Sequence, residues 1–102
     1  MPTKITVIFD NPTDPDAFEA RYADHLQLAR ALPSLTRLES SKVWPKEDGS
    51  PTPVYRFIDL YFDDYDTASK AVTTEEAGAF VKDVFELATG GVKLAFADVE
   101  DV

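Results

Sequence analysis

Two side chains of this sequence are our candidates for a general acid or base, and both fall within predicted secondary structure. His25 is the only histidine and lies on the apolar stripe of a predicted helix. Its imidazole titrates near neutral pH, so it could transfer a proton at a pocket between that helix and a sheet. The alternative is a core histidine whose ring binds a backbone carbonyl or a tyrosine hydroxyl.

Asp59 is the second candidate. It lies in the middle of a predicted strand, between two aromatic residues that share its face. Enclosed in a pocket, it could abstract a proton from an acidic carbon. The alternative is a salt bridge to a cation of a neighbouring strand or of a partner subunit, with Lys4, Arg37 and Lys93 as the candidates.

Four aromatic residues could line an apolar ligand pocket and supply a few hydrogen-bond donors: Tyr22, Trp44, Tyr55 and Tyr61. We place Trp44 at the rim of that pocket. The alternative for all four is packing in the core or at a subunit interface. One histidine and no cysteine are too few ligands for a zinc site, so we predict no metal. We find no Gly-x-Gly-x-x-Gly after a strand and no P-loop, so we predict no nucleotide site and no cofactor.

The predicted strand at residues 54–64 is the element that must position these groups. Alternate residues of a strand face opposite sides of a sheet. One side is almost wholly aliphatic and consists of Val54, Arg56, Ile58, Leu60 and Phe62. The other side is aromatic and acidic and consists of Tyr55, Phe57, Asp59, Tyr61 and Asp63. We expect a helix layer on the first side, and a partner subunit, a ligand or both on the second.

Capping and turn residues delimit the other elements. Asp14 and Pro15 begin a helix that Pro33 ends. A second helical region comes in two pieces, and the capping-box pattern of Thr73 and Glu76 begins the later piece, which a Gly-Gly pair ends. The remaining predicted elements are strands at 5–9, 35–44 and 92–99, a proline-rich turn at 45–53 and a short helix at 67–72.

The resulting order, β-α-β-β-α-β, predicts a ferredoxin-like α+β fold with a four-stranded antiparallel sheet and two helices on one face. Residues 1–102 form a single domain on this interpretation. The other face of the sheet then exposes Tyr55, Phe57 and Tyr61, an apolar patch that a monomer should not show. We therefore expect a homodimer whose two sheets face each other and form an α/β barrel.

The composition excludes several classes of partner. Ten basic against nineteen acidic residues give a formal net charge of -9, so nucleic-acid phosphates and anionic membranes repel the chain. The first apolar run is too short for a signal sequence or a membrane span. We expect a cytoplasmic protein.

Four segments carry a family resemblance: ITVIFDNPTDPDAFEARYADH, LARALPSLTRLESSKVW, YRFIDLYFDDYD and GGVKLAFADVE. They cover essentially the whole chain and resemble the EthD family of dimeric α/β barrel proteins. The most specific part is the helix with Phe18, Tyr22 and His25, followed by a Leu-Pro-Ser-Leu stop where the family commonly has Leu-Pro-Gly-Leu. The resemblance implies a link to the bacterial degradation of ethyl tert-butyl ether beside an oxygenase system. Relatives are sometimes labelled reductases, and related barrels include cofactor-free monooxygenases, lactone isomerases and haem proteins.

We predict from the residues and the resemblance a homodimer that binds a small, mainly apolar organic molecule in each protomer. It would act as an auxiliary catabolic enzyme of the oxygenase or ether-degradation type. His25 and Asp59 are its candidate catalytic groups, and both should point into a hollow between the helices and the sheet. The alternatives are a non-catalytic binding or stabilising subunit of an oxygenase system, and a purely structural dimer whose aromatic side chains fill the hollow.

Overall fold

A computed structural model describes residues 1–102. The strands are β1 (Thr3–Phe9), β2 (Arg37–Lys42), β3 (Arg56–Phe62) and β4 (Val92–Asp98). The helices are α1 (Pro15–Arg30), α2 (Tyr65–Ala71) and α3 (Glu75–Leu87). The predicted order of elements is confirmed, with the second helical region in two pieces. The longest helix, α1, and the two shorter ones all lack the length and apolar composition that crossing a membrane requires.

The four strands form one antiparallel sheet in the order β2-β3-β1-β4, which confirms the predicted ferredoxin-like arrangement. The central strand β1 pairs on both sides, so that Ile5 lies opposite Leu60 of β3 and Phe96 of β4. Paired residues of an antiparallel ladder share a face, and the register therefore assigns every strand residue to one of two faces. The open face, which no helix covers, consists of Lys4, Thr6, Ile8, Arg37, Glu39, Ser41, Phe57, Asp59, Tyr61, Lys93, Ala95 and Ala97.

The core lies between the other face of the sheet, the helix face, and the three helices. Its strand residues are Ile5, Val7, Phe9, Ile58, Leu60 and Phe62, each at most 4% exposed. Complete burial of such a side chain is worth roughly 1.5–3 kcal/mol, so this layer is the main stabilising feature of the fold. The predicted helix cover on the aliphatic side of the 54–64 strand is confirmed.

Short polar side chains begin all three helices. Asp14 caps α1 and Asp64 caps α2, each accepting a hydrogen bond from the backbone N–H three residues further on. The predicted capping box of α3 is wrong by one residue, because Thr74 accepts the hydrogen bond from the N–H of Ala77. The Thr73 hydroxyl instead donates to a carbonyl of the preceding turn.

The strand predicted at 54–64 is regular only from Arg56 onward, and this changes the position of Tyr55. Its ring makes an edge contact with Phe18 of α1, at 5.2 Å between centroids, so Tyr55 packs on the helix side of the sheet. Two prolines lie just before this strand and cannot donate ladder hydrogen bonds, which delays its start. The placement of Tyr55 in an uncovered aromatic patch is wrong, and Phe57 and Tyr61 are the patch residues that remain.

Gly90 lies in the turn between α3 and β4, against the loop that follows β1. A Cβ atom at this position would lie 1.9 Å from the carbonyl oxygen of Asn11, so the backbone would have to shift. We expect Gly90→Ala to lower the free energy of unfolding by about 1–3 kcal/mol, the usual cost of overpacking.

The matched control is Gly78, an exposed residue of α3 where a Cβ atom meets nothing within 4 Å. Gly78→Ala should raise the free energy of unfolding by about 0.5–1 kcal/mol, because glycine disfavours a helix interior. Urea unfolding followed by circular dichroism measures both changes. Equal effects of the two substitutions would contradict the close packing of the Gly90 turn.

Candidate functional site

His25 lies in the core where α1, α3 and the sheet meet, and it has no exposed surface. Its Nδ1 is 2.7 Å from Oδ2 of Asp83 on α3. Arg21 donates to Oδ1 of Asp83 at 2.6 Å and to Glu86 at 3.1 Å. The partner of this histidine is thus a carboxylate, and neither a backbone carbonyl nor a tyrosine hydroxyl. The contacts lead from a buried imidazole to the exposed groove between α1 and α3.

The partner at Nδ1 determines the tautomer of His25. A carboxylate accepts a hydrogen bond, so we assign the ring proton to Nδ1 and a lone pair to Nε2. Burial lowers the pKa of His25 below its ordinary value of 6.5, and the Asp83 carboxylate opposes part of this shift. The ring is therefore neutral at pH 7 and Nε2 is an acceptor. No group of the chain donates to Nε2, the one buried side-chain nitrogen or oxygen without a partner.

Aromatic rings surround the imidazole. The ring of Phe80 stacks on it, with 4.8 Å between centroids and 20° between planes. Phe9 of β1 meets it edge-on at 5.8 Å. These contacts explain the burial of His25 and fill the space beneath α1 where a hollow was predicted.

An apolar cavity of about 140 Å³ lies between the helix layer and the sheet at the β4 edge, where α3 and β4 diverge. No polar side chain lines it. The lining residues are Ile5, Leu32, Leu60, Val72, Ala77, Phe80, Val81, Leu94 and Phe96. Two of them, Leu94 and Phe96 of β4, are 42% and 49% exposed although they belong to the helix face. The helices do not extend over β4, and the cavity opens at this edge.

Asp59 lies on the open face of the sheet, only 6% exposed. Its Oδ1 accepts a hydrogen bond from the Thr6 hydroxyl at 2.6 Å and lies 3.4 Å from Nζ of Lys4. The sequence allowed Asp59 to be either a catalytic base or a salt-bridge partner. The contacts in the structure are those of a salt bridge, with Lys4 as the cation.

A second acid, Glu39 of β2, lies directly opposite Asp59 in the ladder. Like charges in this position repel each other, and neighbouring donors offset the repulsion. The Tyr61 hydroxyl donates to Glu39 at 2.7 Å and Arg37 donates at 2.8 Å. These two hydrogen bonds hold the pKa of Glu39 below its usual range, and the bond that Tyr61 donates to Glu39 raises the pKa of Tyr61. The open face is therefore a network of paired charges.

Tyr22 is buried in a third polar cluster, at the end of the sheet where β2 and β3 meet α1. Its hydroxyl lies 2.5 Å from Oγ of Ser40, and the Arg56 guanidinium lies over its ring at 4.3 Å. Arg56 donates twice to Glu19, at 2.8 and 2.9 Å. This bidentate bond lowers the pKa of Glu19 to about 2. Burial raises the pKa of Tyr22.

The structure does not bring the predicted site residues together. His25 and Tyr22 lie on the helix side of the sheet, whereas Asp59 and Tyr61 lie on the open face. The sheet separates His25 from Asp59, so the expectation that both point into one hollow is wrong. Trp44 follows β2 and is 88% exposed, without contact to the cavity. Nowhere in the chain do three or more acidic or histidine side chains converge as metal ligands would.

Sequence reasoning missed Asp83 and the cavity residues of β4. Asp83 follows Phe80 by three positions, so it lies next to Phe80 on the buried side of α3. An acid at this spacing from an apolar stripe is the signal that could have identified it. Leu94 and Phe96 alternate in a predicted strand, but nothing in that pattern indicates that no helix covers them.

Comparisons with known proteins agree with one another. The family model described as EthD domain matches residues 10–90. A protein of Rhodococcus erythropolis, described as an uncharacterized 11.0 kDa protein in the thcB-thcC intergenic region, is 33% identical over 100 residues, covering 97% of this chain and 96% of that protein.

Solved structures show the same fold. An ethyl tert-butyl ether d (EthD) family protein from Bacillus halodurans superimposes with a TM-score of 0.89 at 25% identity, over 98% of this chain and 100% of that one. SnoaB, a cofactor-independent oxygenase from Streptomyces nogalater, superimposes with a TM-score of 0.67 at 12% identity, over 99% of this chain and 94% of that one. A dimeric ferredoxin-like protein from Jannaschia superimposes with a TM-score of 0.69 at 14% identity, over 97% of this chain and 100% of that one. The last two show the fold alone.

The lowered pKa of His25 predicts a dependence of stability on pH. Below about pH 6.5 the unfolded chain protonates this histidine while the folded chain does not, so the folded state loses stability as pH falls towards the folded pKa. The loss approaches about 1.4 kcal/mol per pH unit while only the unfolded state takes up the proton. We expect His25→Gln to cost about 1–3 kcal/mol at pH 7.5 through its lost packing and hydrogen bond.

Urea unfolding of wild type and His25→Gln at several pH values between 7.5 and 5.5 measures the effect. The difference in the free energy of unfolding between the two proteins should narrow as pH falls, because the variant lacks the titrating ring. Exposed carboxylates affect both proteins equally and cancel in the difference. A constant gap over this range would contradict a neutral buried imidazole.

Proposed function

The chain belongs to the EthD family, and we propose that it binds a small, mainly apolar organic molecule in the cavity between α3 and β4. The observation that carries this proposal is the lining of nine apolar side chains around about 140 Å³. A dry apolar cavity of about 150 Å³ accommodates a benzene-sized molecule. Removing such a molecule from water is favourable without any charged group in the wall.

The role we propose is an auxiliary one in the catabolism of apolar compounds in the cytoplasm. Support comes from the description of the Bacillus halodurans relative as an ethyl tert-butyl ether d family protein. The fold is also that of a cofactor-independent oxygenase. The cavity wall offers no acid or base, so it supports ligand binding directly. A catalytic role would need His25, which touches the cavity residue Phe80. If the protein is not catalytic, it would act as a binding subunit of an oxygenase system.

One observation favours a purely structural role for part of the molecule. The space between α1 and the sheet is filled by stacked aromatic rings; Phe18 packs edge-on against Phe9 at 5.1 Å and stacks on Tyr22 at 5.6 Å. A ligand is therefore not expected in that region, and Tyr22 and Tyr55 serve packing there. The cavity at the β4 edge is the place where the binding and structural alternatives differ.

We infer that a second copy of the chain covers the open face. This face carries both signs of charge, with Lys93 on the edge strand β4 and Glu39 on the opposite edge strand β2, so that two copies related by a twofold axis can pair opposite charges. The small side chains of Ala95 and Ala97 permit close approach of the partner. A protein with this fold from Jannaschia is described as dimeric.

Ligand binding is tested with a substitution that fills the cavity. Ala77 lines it and is 2% exposed, so Ala77→Leu should place a larger side chain inside and weaken benzene or toluene binding at least tenfold. We expect the wild type to bind these probes with a Kd of about 1 mM or below. Calorimetric titration measures the affinity, and thermal melts verify that the variant is folded.

Ala79→Leu is the matched control, because Ala79 is exposed on the same helix and does not line the cavity. It should leave probe affinity unchanged. Absence of binding by the wild type, or equal binding by both variants, would remove the α3–β4 cavity as the ligand site.

The homodimer is tested on the open face. We expect the wild type to sediment as a dimer at micromolar concentration, with on the order of 2,000 Å² buried in total. Ala95→Glu adds a buried charge at that interface and should shift the equilibrium to monomer. Ala79→Glu adds the same charge to exposed α3 and should leave the dimer intact. A folded, stable monomer of the wild type would contradict the proposal.

A further inference from the structure

The lone pair of His25 Nε2 is a buried acceptor for which the fold provides no donor. Buried polar atoms are nearly always paired, because an unpaired one loses its hydrogen bond to water without replacement. The opposite nitrogen of the same ring is firmly bonded, at 2.7 Å from Asp83. Arg21 holds that carboxylate in turn and also pairs with Glu86. The imidazole is thus fixed in orientation with its free acceptor directed into the interior.

Phe80 connects this acceptor with the cavity. Its ring stacks on the imidazole at 4.8 Å, and the same side chain forms part of the cavity wall. A ligand in the cavity reaches the edge of the imidazole only if this one ring rotates towards the open β4 edge. On that edge Leu94 and Phe96 are half-exposed, so the cavity is open to solvent there.

We propose that His25 Nε2 accepts a hydrogen bond from a hydroxyl group of the ligand, so that the cavity selects small neutral alcohols and phenols. This inference rests on the proposed function, since it assigns a polar group to the apolar ligand of the same cavity. The apolar body of the ligand lies among the α3 and β4 side chains, and its single hydroxyl takes the place of the missing donor.

The side chains of the cavity wall define the class of ligand further. A hydroxyl that enters an apolar cavity without an acceptor loses its hydrogen bonds to water and weakens binding. With Nε2 as acceptor, that loss is compensated. Carboxylates and phosphates are excluded, because no cation lines the cavity and a buried unpaired charge is far more costly than a hydroxyl. Asp83 acts as a positioning residue, because it keeps the proton on Nδ1.

Benzene and phenol form a matched pair of probes that differ by one hydroxyl. The wild type should bind phenol at least as tightly as benzene. His25→Phe keeps an aromatic ring in place but removes the acceptor, so phenol affinity should fall about tenfold or more while benzene affinity changes less than about threefold. Benzoate should not bind either protein.

A second measurement does not depend on the stability of the variant. In the wild type labelled with ¹⁵N-histidine, the Nε2 resonance should move on addition of phenol and stay in place on addition of benzene. An unchanged Nε2 resonance in saturating phenol, or equal phenol affinity of wild type and His25→Phe, would overturn the inference while leaving apolar binding intact. If neither probe binds the wild type, or if Ala77→Leu still binds benzene, the proposed function itself fails.

Discussion

The packing of the helix layer on the central strands β1 and β3 is the interaction on which the rest of the structure depends. β1 is hydrogen-bonded on both sides, and Val7 and Ile58, which face each other across β1 and β3, are completely buried. Helices α1 and α3 lie side by side over this pair. They cover the middle of the sheet and leave β4 at the margin. His25 is buried because the helices cover the middle of the sheet, and the cavity forms at the β4 edge because they do not extend over it.

The sheet divides the polar groups of the protein into two sets with different environments. On the helix side, His25 is withdrawn from water and stays neutral, because burial outweighs the attraction of Asp83. On the open face, acids and bases lie close together and pair with each other, as Asp59 does with Lys4. The first environment suits recognition of a neutral molecule, and the second suits contact with another charged surface.

The fold by itself does not select a chemistry, since unrelated functions share this architecture. The function that we propose for this chain therefore depends on its side chains, and above all on those where α3 and β4 diverge. Apolar residues alone would make a passive cavity there. In the binding mode that we propose, the fixed imidazole behind Phe80 adds one directional group, and a single such group is sufficient to discriminate between ligands of equal size.

Local patterns in the sequence determined the order of elements, the cap at Asp14 and the buried face of β3, because each depends on residues only a few positions apart. The family resemblance could likewise be recognised from sequence segments alone. Only the tertiary structure decided that Asp83 meets His25, since the two lie 58 positions apart on different helices. It also decided that Asp59 and His25 lie on opposite sides of the sheet, and that no helix covers β4. Periodicity assigns a residue to a face, but the extent of a helix layer over a sheet depends on the packing of all its members together.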